Sequence, residues 1–316
     1  MRNFLRPLML LAVLACAAVA PLTGAEAAKL RVLIIGNSFS GNAMRYFPDI
    51  AKAAGSWLEV KHLSVGGSSL ETHWTMAEAA LKDATDPKGR YGEGGRGGTL
   101  PEALAKGPWD VVTIQQHSQK SSDQATFHPF IDHLVELIRK SAPTARLMIH
   151  DTWAYRSDDT QFGTGPQSTM ASSEVMYQRI SAAYATMAKQ FALEVIPSGE
   201  AFHLVESDPA QKFVLDPAWD HKTAVFPALP DQKKSLNVGW AWSTKDGKNI
   251  LVYDPKHANP RGEYLAGCVW YEALFHRTVV GNSFQPKELT PEDVAYFQQI
   301  AHTAVERGLP GLQTGK

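Results

Sequence analysis

The stretch 31-RVLIIGNSFSG-41 decides how this chain is read. Val32, Leu33, Ile34 and Ile35 follow one another with no polar interruption, the pattern of a strand covered on both faces of a parallel sheet. Gly36, Asn37, Ser38 and Ser40 then supply turn chemistry. Similar strand-like runs recur at 57-WLEVKHLSV-65, 109-WDVVTIQQ-116, 145-ARLMIHD-151 and 194-EVIPS-198. Between them lie amphipathic segments, 70-LETHWTMAEAALKDA-84, 127-FHPFIDHLVELIRKSA-142 and 174-EVMYQRISAAYATMAKQFA-192, the last with apolar residues at helical spacing. A final helix is predicted over 290-TPEDVAYFQQIAHTAVERG-308, with Thr290 as cap, Pro291 at the first position and Gly308 as stop. Repeated β–α alternation predicts an α/β fold, a three-layer α/β/α sandwich with a mainly parallel sheet.

Two regions break the rhythm. Residues 85–99, TDPKGRYGEGGRGGT, read as a mobile glycine-rich surface loop. Its Gly92-x-Gly94-x-x-Gly97 spacing neither follows a strand nor opens a helix, so it carries no nucleotide-binding meaning. The segment 208–253, with Trp219, Trp240 and Trp242 among prolines and lysines, reads as an insertion that folds into a hairpin.

The chain has 316 residues, a net charge of −1, 44% hydrophobic and 20% charged residues. A near-neutral balance without a basic stripe argues against a nucleic-acid partner. Arg2 and Arg6, the apolar run 8-LMLLAVLACAAVA-20 and the small-x-small Ala25-Glu26-Ala27 make residues 1–27 an export signal. The run is shorter than the ~20 residues of a membrane span, so no stable membrane insertion is expected after cleavage, and the protein is expected in the periplasm or outside the cell. Lipid attachment at Cys16 is the alternative. Residues 28–316 then form a single domain with one cysteine, Cys268, read as a buried small hydrophobe.

The tetrapeptide GNSF occurs twice, at 36–39 and at 281–284. Ser38 follows a buried strand, and reactive groups of open parallel sheets collect at carboxyl strand ends. Ser283 has no such setting, and Gly, Asn and Ser are common turn residues anyway. Ser38 is the candidate nucleophile, and a serine needs a general base. Of eleven histidines, His128 and His133 are five apart and no HExxH occurs, which argues against a metal site. His150 is either buried structure or cleft wall. His257 belongs to 254-DPKH-257, the only D-x-x-H in the chain. Pro255 holds that loop extended, and Asn259 with Pro260 marks the start of a helix. Asp254 is placed to fix the imidazole tautomer so that Nε2 meets a serine.

Taken together, Gly36-Asn37-Ser38-Phe39-Ser40, Val65-Gly66-Gly67-Ser68-Ser69-Leu70 and Asp254-Pro255-Lys256-His257 resemble the nucleophile, glycine and D-x-x-H blocks of the SGNH (GDSL-like) hydrolases. Asn37 stands where the family more often has Asp. The extended 66-GGSSLETHW-74 and 115-QQHS-118 look closer to an uncharacterised exported branch than to its well-studied members. The resemblance implies a flavodoxin-like sheet, Ser38 as nucleophile, His257 as general base and then acid, and Asp254 as its orienter. It implies that the backbone N–H groups of Ser38 and Gly67 form part of an oxyanion hole, with Gly66 the neighbour if the register slips. The third block departs from the family: 113-TIQQHSQKSS-122 has no Asn where one usually completes the hole. Gln116, at the expected strand end, is the chosen substitute. Gln115 and Gln119 are alternatives, with a strict alignment favouring Gln119.

The expected activity is serine hydrolysis of an ester through an acyl-enzyme, with no metal or organic cofactor. Export and the resemblance together point to a small-molecule or glycan ester, such as an O-acetylated carbohydrate. Trp74, Trp153, Tyr155, Trp240 and Trp242 offer flat faces for sugar stacking. The alternatives are a lipid-ester or thioester hydrolase, and a non-catalytic exported glycan-binding protein on the same fold. A phosphate- or metal-dependent hydrolase is disfavoured by the lack of clustered Asp and His ligands.

Overall fold

A computed structural model describes residues 28–166 and 168–312. The expected export signal, with Cys16, lies outside the described residues. In chain order the elements are β1 (Lys29–Gly36), α1 (Ser38–Met44), α2 (Phe47–Ala53), β2 (Trp57–Ser64), α3 (Leu70–Lys82), the short β3 (Arg90–Tyr91) and β4 (Gly98–Thr99), α4 (Leu100–Ala105), β5 (Val111–Ile114), α5 (Phe130–Ser141), β6 (Arg146–His150), α6 (Ser173–Phe191), β7 (Glu194–Ile196), α7 (Ser198–Ser207), β8 (Asn237–Lys245), β9 (Lys248–Ala258), α8 (Pro260–Phe275) and α9 (Pro291–Arg307).

Five strands build the central sheet in the order β2-β1-β5-β6-β7, every neighbouring pair parallel. The continuous apolar runs explain it: Val32, Leu33, Ile34, Val111, Val112 and Ile149 are fully buried, as strands between two helix layers must be. The order reverses at β1, so the crevice of the fold opens between the carboxyl ends of β1 and β5. This is an α/β sandwich of flavodoxin-like strand order.

Helix ends follow local chemistry. Ser69 and Thr72 form a capping box at α3, and Thr290 and Asp293 form one at α9. Asn259 caps α8 by accepting the N–H groups of Arg261 and Gly262. α8 is buried almost all round, and Gly267 lets it approach closely: a Cβ there would lie 3.1 Å from the Phe47 backbone nitrogen. Cys268 is fully buried in the same helix.

Two expectations change. The glycine-rich segment is not a loose loop. Arg90 and Tyr91 pair with Thr99 and Gly98, and Tyr91 is buried with its hydroxyl 2.8 Å from His73 Nδ1. A single aromatic with a buried hydrogen-bond partner docks what composition alone would leave free. The hairpin expected within 208–253 starts late, at Asn237, and runs through Ala258. It therefore includes Asp254 and His257, which end a strand rather than occupy a loop.

Candidate active site

Asn37 organises the turn after β1. Its Oδ1 accepts the Phe39 N–H at 3.0 Å, capping α1, and also takes the Gln115 amide at 2.6 Å. Its Nδ2 donates to the Ser68 carbonyl at 2.8 Å. An amide can do both and a carboxylate cannot, which accounts for Asn at this position. The second copy of the tetrapeptide makes the same local bond, Phe284 N–H to Asn282 Oδ1 at 3.0 Å, but its Ser283 is exposed. The repeat is shared turn chemistry.

Two neutral histidines, His73 fully buried and His62 half-buried, brace this turn. Ser68 Oγ donates to the Gly36 carbonyl at 3.1 Å and so accepts from His73 Nε2 at 2.9 Å. Ser40 Oγ donates to the Asn37 carbonyl at 2.8 Å and accepts from His62 Nε2 at 3.0 Å. Burial pushes both imidazoles down to about 4, consistent with neutral rings.

His257 arrives from the far end of the chain. Its Nε2 lies 2.8 Å from Ser38 Oγ, across 219 residues of sequence, and its Nδ1 lies 2.7 Å from Asp254 Oδ2. The other carboxylate oxygen of Asp254 accepts the N–H groups of Lys256 and His257, each at 3.0 Å. That explains the D-x-x-H spacing physically: one oxygen folds the turn and the second meets the ring three residues on. A register shift in the hairpin between Asn237 and Gly239 accommodates this turn. The hydrogen bond that the ring donates to Asp254 raises the imidazole pKa against the opposing effect of burial. Burial works against the Asp254 carboxylate, yet the His257 ring and the two backbone N–H groups bring it down to about 2.

A cavity of about 140 Å³ opens at Ser38, lined also by Phe39, Gly67, His117, Gln119, Lys256 and His257. Gly67 has φ +68°, a left-handed conformation that favours glycine. The structure thus brings Ser38, His257, Asp254 and Gly67 to one rim. It does not bring Gln116 there. The Gln116 side chain is fully buried, its Nε2 donating to the Thr126 carbonyl at 2.9 Å and its Oε1 accepting from Leu70 and His117 N–H. Gln115 is likewise engaged with Asn37 and His150. Of the three glutamines only Gln119 lines the cavity. His117, which the sequence reading passed over, lines it too. The signal was its place one residue past Gln116, at the end of β5.

His150 is buried, between Gln115 and Ser198 Oγ. The aromatic residues considered for sugar stacking are occupied within the protein. Trp153 is fully buried and Tyr155 nearly so. Trp74 stacks on His133, and Trp240 stacks on both His221 and Tyr253. Trp242 packs edge-on against Phe226. A larger cavity of about 410 Å³ lies between α6 and α7, sharing Tyr155 but containing none of Ser38, Asp254 and His257. Among the described residues, Glu272, His302 and Glu306 are grouped with metal-ligand spacing on α8 and α9. Glu272 is already bonded to His302 and to the Val279 N–H.

A doubly wound parallel sheet with a serine after its first strand and a late D-x-x-H pair is the layout of the SGNH (GDSL-like) hydrolase fold. The chain belongs to the family described as "Domain of unknown function (DUF4886)", whose profile matches residues 31–208. It is similar to a DUF4886 family protein from Bacteroides uniformis at 26% identity and a TM-score of 0.65, over 88% of this chain and 95% of that one. It is more distantly similar to a putative GDSL-like lipase from Parabacteroides merdae, at 11% identity and TM-score 0.44, covering 78% and 96% of the two chains. A phospholipase A1 from Streptomyces albidoflavus stands at 12% and 0.39, covering 78% and 98%. At those levels neither likeness identifies a reaction. Among curated proteins, none matches the chain. Among the described residues, no helix is long and apolar enough to cross a membrane.

Proposed function

We propose that this protein is an exported serine esterase that hydrolyses a short acyl ester, such as an O-acetyl group on a carbohydrate, through an acyl-enzyme. The observation that carries the reading is the continuous chain Ser38 Oγ–His257 Nε2, 2.8 Å, and His257 Nδ1–Asp254 Oδ2, 2.7 Å, at the wall of a cavity. Ser38 attacks the carbonyl carbon while His257 takes its proton. Asp254 holds the ring in the required tautomer and stabilises the imidazolium. Backbone N–H groups of Ser38 and Gly67 meet the oxygen as it becomes charged. His257 then protonates the departing alcohol, and a water repeats the sequence to release the acid.

The size of the cavity supports a small acyl group. At about 140 Å³ it falls below the ~300 Å³ lower bound typical of drug-sized sites. Residues 1–27, read as an export signal, support a substrate outside the cytoplasm such as a glycan.

The test is acetate release from a panel of acetylated sugars, with fluorophosphonate labelling of the same protein. The expected result is an adduct on Ser38 and loss of release in Ser38→Ala. Undiminished hydrolysis by Ser38→Ala, or labelling elsewhere, removes Ser38 as the nucleophile, whereas neither release nor adduct in the wild type ends the proposal in favour of a non-catalytic glycan binder.

A further inference from the structure

We propose that the Nε2–H of His117 is the third donor to the substrate's carbonyl oxygen, in place of the side-chain amide expected at the end of β5; this rests on the esterase reading above. His117 lines the same cavity as Ser38, Gly67 and His257. Its Nε2 flanks the glycine turn: a Cβ built on Gly67 would lie 3.8 Å from it. Both groups therefore border the same few ångströms of space beside Ser38.

The tautomer follows from a backbone contact. The N–H of Gln119 donates to His117 Nδ1 at 3.2 Å, so Nδ1 carries the lone pair and the proton sits on Nε2. The residue is also held rigidly. Its own N–H donates to Gln116 Oε1 at 2.8 Å, and its carbonyl accepts from the N–H groups of Lys120 and Ser121 and from Ser121 Oγ. Gln116 thus positions the donor rather than being it. Burial, Lys120 and Lys256 hold the imidazole below its ordinary pKa, so a neutral ring faces the site. A fixed neutral donor aimed where charge develops stabilises the transition state without reorganising.

The chemistry balances. Ser38 Oγ bonds to the carbonyl carbon, its proton moves to His257 Nε2, and the π pair moves onto the carbonyl oxygen. There it meets the N–H groups of Ser38, Gly67 and His117 Nε2. Collapse reforms the carbonyl and breaks the bond to the alcohol, which leaves with the proton from His257. His117 gives up no proton at any step.

Hydrolysis of p-nitrophenyl acetate by the wild type, Ser38→Ala, His117→Ala, His117→Asn and Gln119→Ala tests this. The expected pattern is a loss in kcat of about 10²–10³-fold for His117→Ala with KM little changed, part of it recovered in His117→Asn, and a near-normal Gln119→Ala. Wild-type kcat in His117→Ala, with Ser38→Ala inactive, overturns the role of His117 alone; so does a loss that appears in Gln119→Ala instead. Ser38-independent hydrolysis overturns the esterase reading and this inference together. Imidazole ¹⁵N spectra of the wild type decide the matter even if a variant fails to fold. An Nε2–H tautomer for His117, moving downfield when a trifluoromethyl ketone adds to Ser38, is expected. An Nδ1–H tautomer or an unmoved proton overturns the proposal.

Discussion

Asp254 uses its two oxygens differently, one to fold the turn and one to hold the ring. Because that ring bond raises the His257 pKa, the neutral form that accepts a proton prevails only above the raised value. Activity is therefore expected to fall as pH drops through a point above the usual ~6.5 of histidine. Asp254→Asn removes the charge, so the acid limb of kcat/KM moves to lower pH while its plateau falls on the order of 10⁴-fold. A pH–rate profile of the two proteins checks both parts, and an unmoved limb counts against His257 as the base. The same scale explains the misplaced glutamine. Gln116 and His117 are adjacent polar residues, and nothing in their order shows that Thr126 and Leu70 claim the amide.

At the scale of elements, two segments distant in sequence must stay in register for Ser38 to meet His257. Trp153, in the loop after β6, spans them. It stacks on Phe39 with centroids 4.3 Å apart and on Phe202 at 4.4 Å, and its Nε1–H donates to the Lys256 carbonyl at 2.8 Å. One neighbour of Ser38 and one of His257 are thus held by a single fully buried side chain. Trp153→Phe keeps an aromatic ring but removes one of two donors to that carbonyl, which Asn237 Nδ2 also reaches at 3.1 Å, at an expected cost of about 0.5–1.5 kcal/mol. Trp153→Ala is expected to cost about 3–5 kcal/mol. Calorimetry alongside ester turnover checks this, and full kcat in a destabilised Trp153→Phe would show that the clamp serves stability alone.

For the whole molecule, buried and half-buried titratable groups pull stability in opposite directions. His62 and His73 are held down to about 4 and His150 to about 3 by burial. Their contribution is intact above the unfolded value near 6.5 and fades as pH falls toward those numbers. Glu206 runs the other way. Burial raises its carboxyl to about 7 against Arg156 and Lys212. Its contribution is present below the unfolded value near 4.5 and is lost as pH rises through 7. The whole-protein curve mixes these effects, whereas Glu206→Gln isolates one of them. Above pH ~7 this variant is expected to be more stable than the wild type by up to ~3 kcal/mol, less the screening felt by a partly exposed residue. The difference should vanish toward pH ~4.5. Thermal midpoints measured across that range test it, and a pH-independent difference would refute it.

What the sequence determined by itself was local in origin. Uninterrupted apolar runs such as Val32–Ile35 become sheet core because nothing in them tolerates water. Thr290 with Asp293 and Asn259 with Arg261 set helix starts through side chains reaching two or three residues. The Asp254–His257 pairing is of the same short range. Tertiary structure alone decided the rest: the docking of Tyr91 on His73, the late start of the hairpin, and the turning of Gln116 away from Ser38 while His117 turns toward it. Those outcomes depend on which buried polar atoms find partners across the fold. Such partners are distant along the chain, and a donor or acceptor has no preferred mate until the sheet and helices bring the candidates within hydrogen-bond reach.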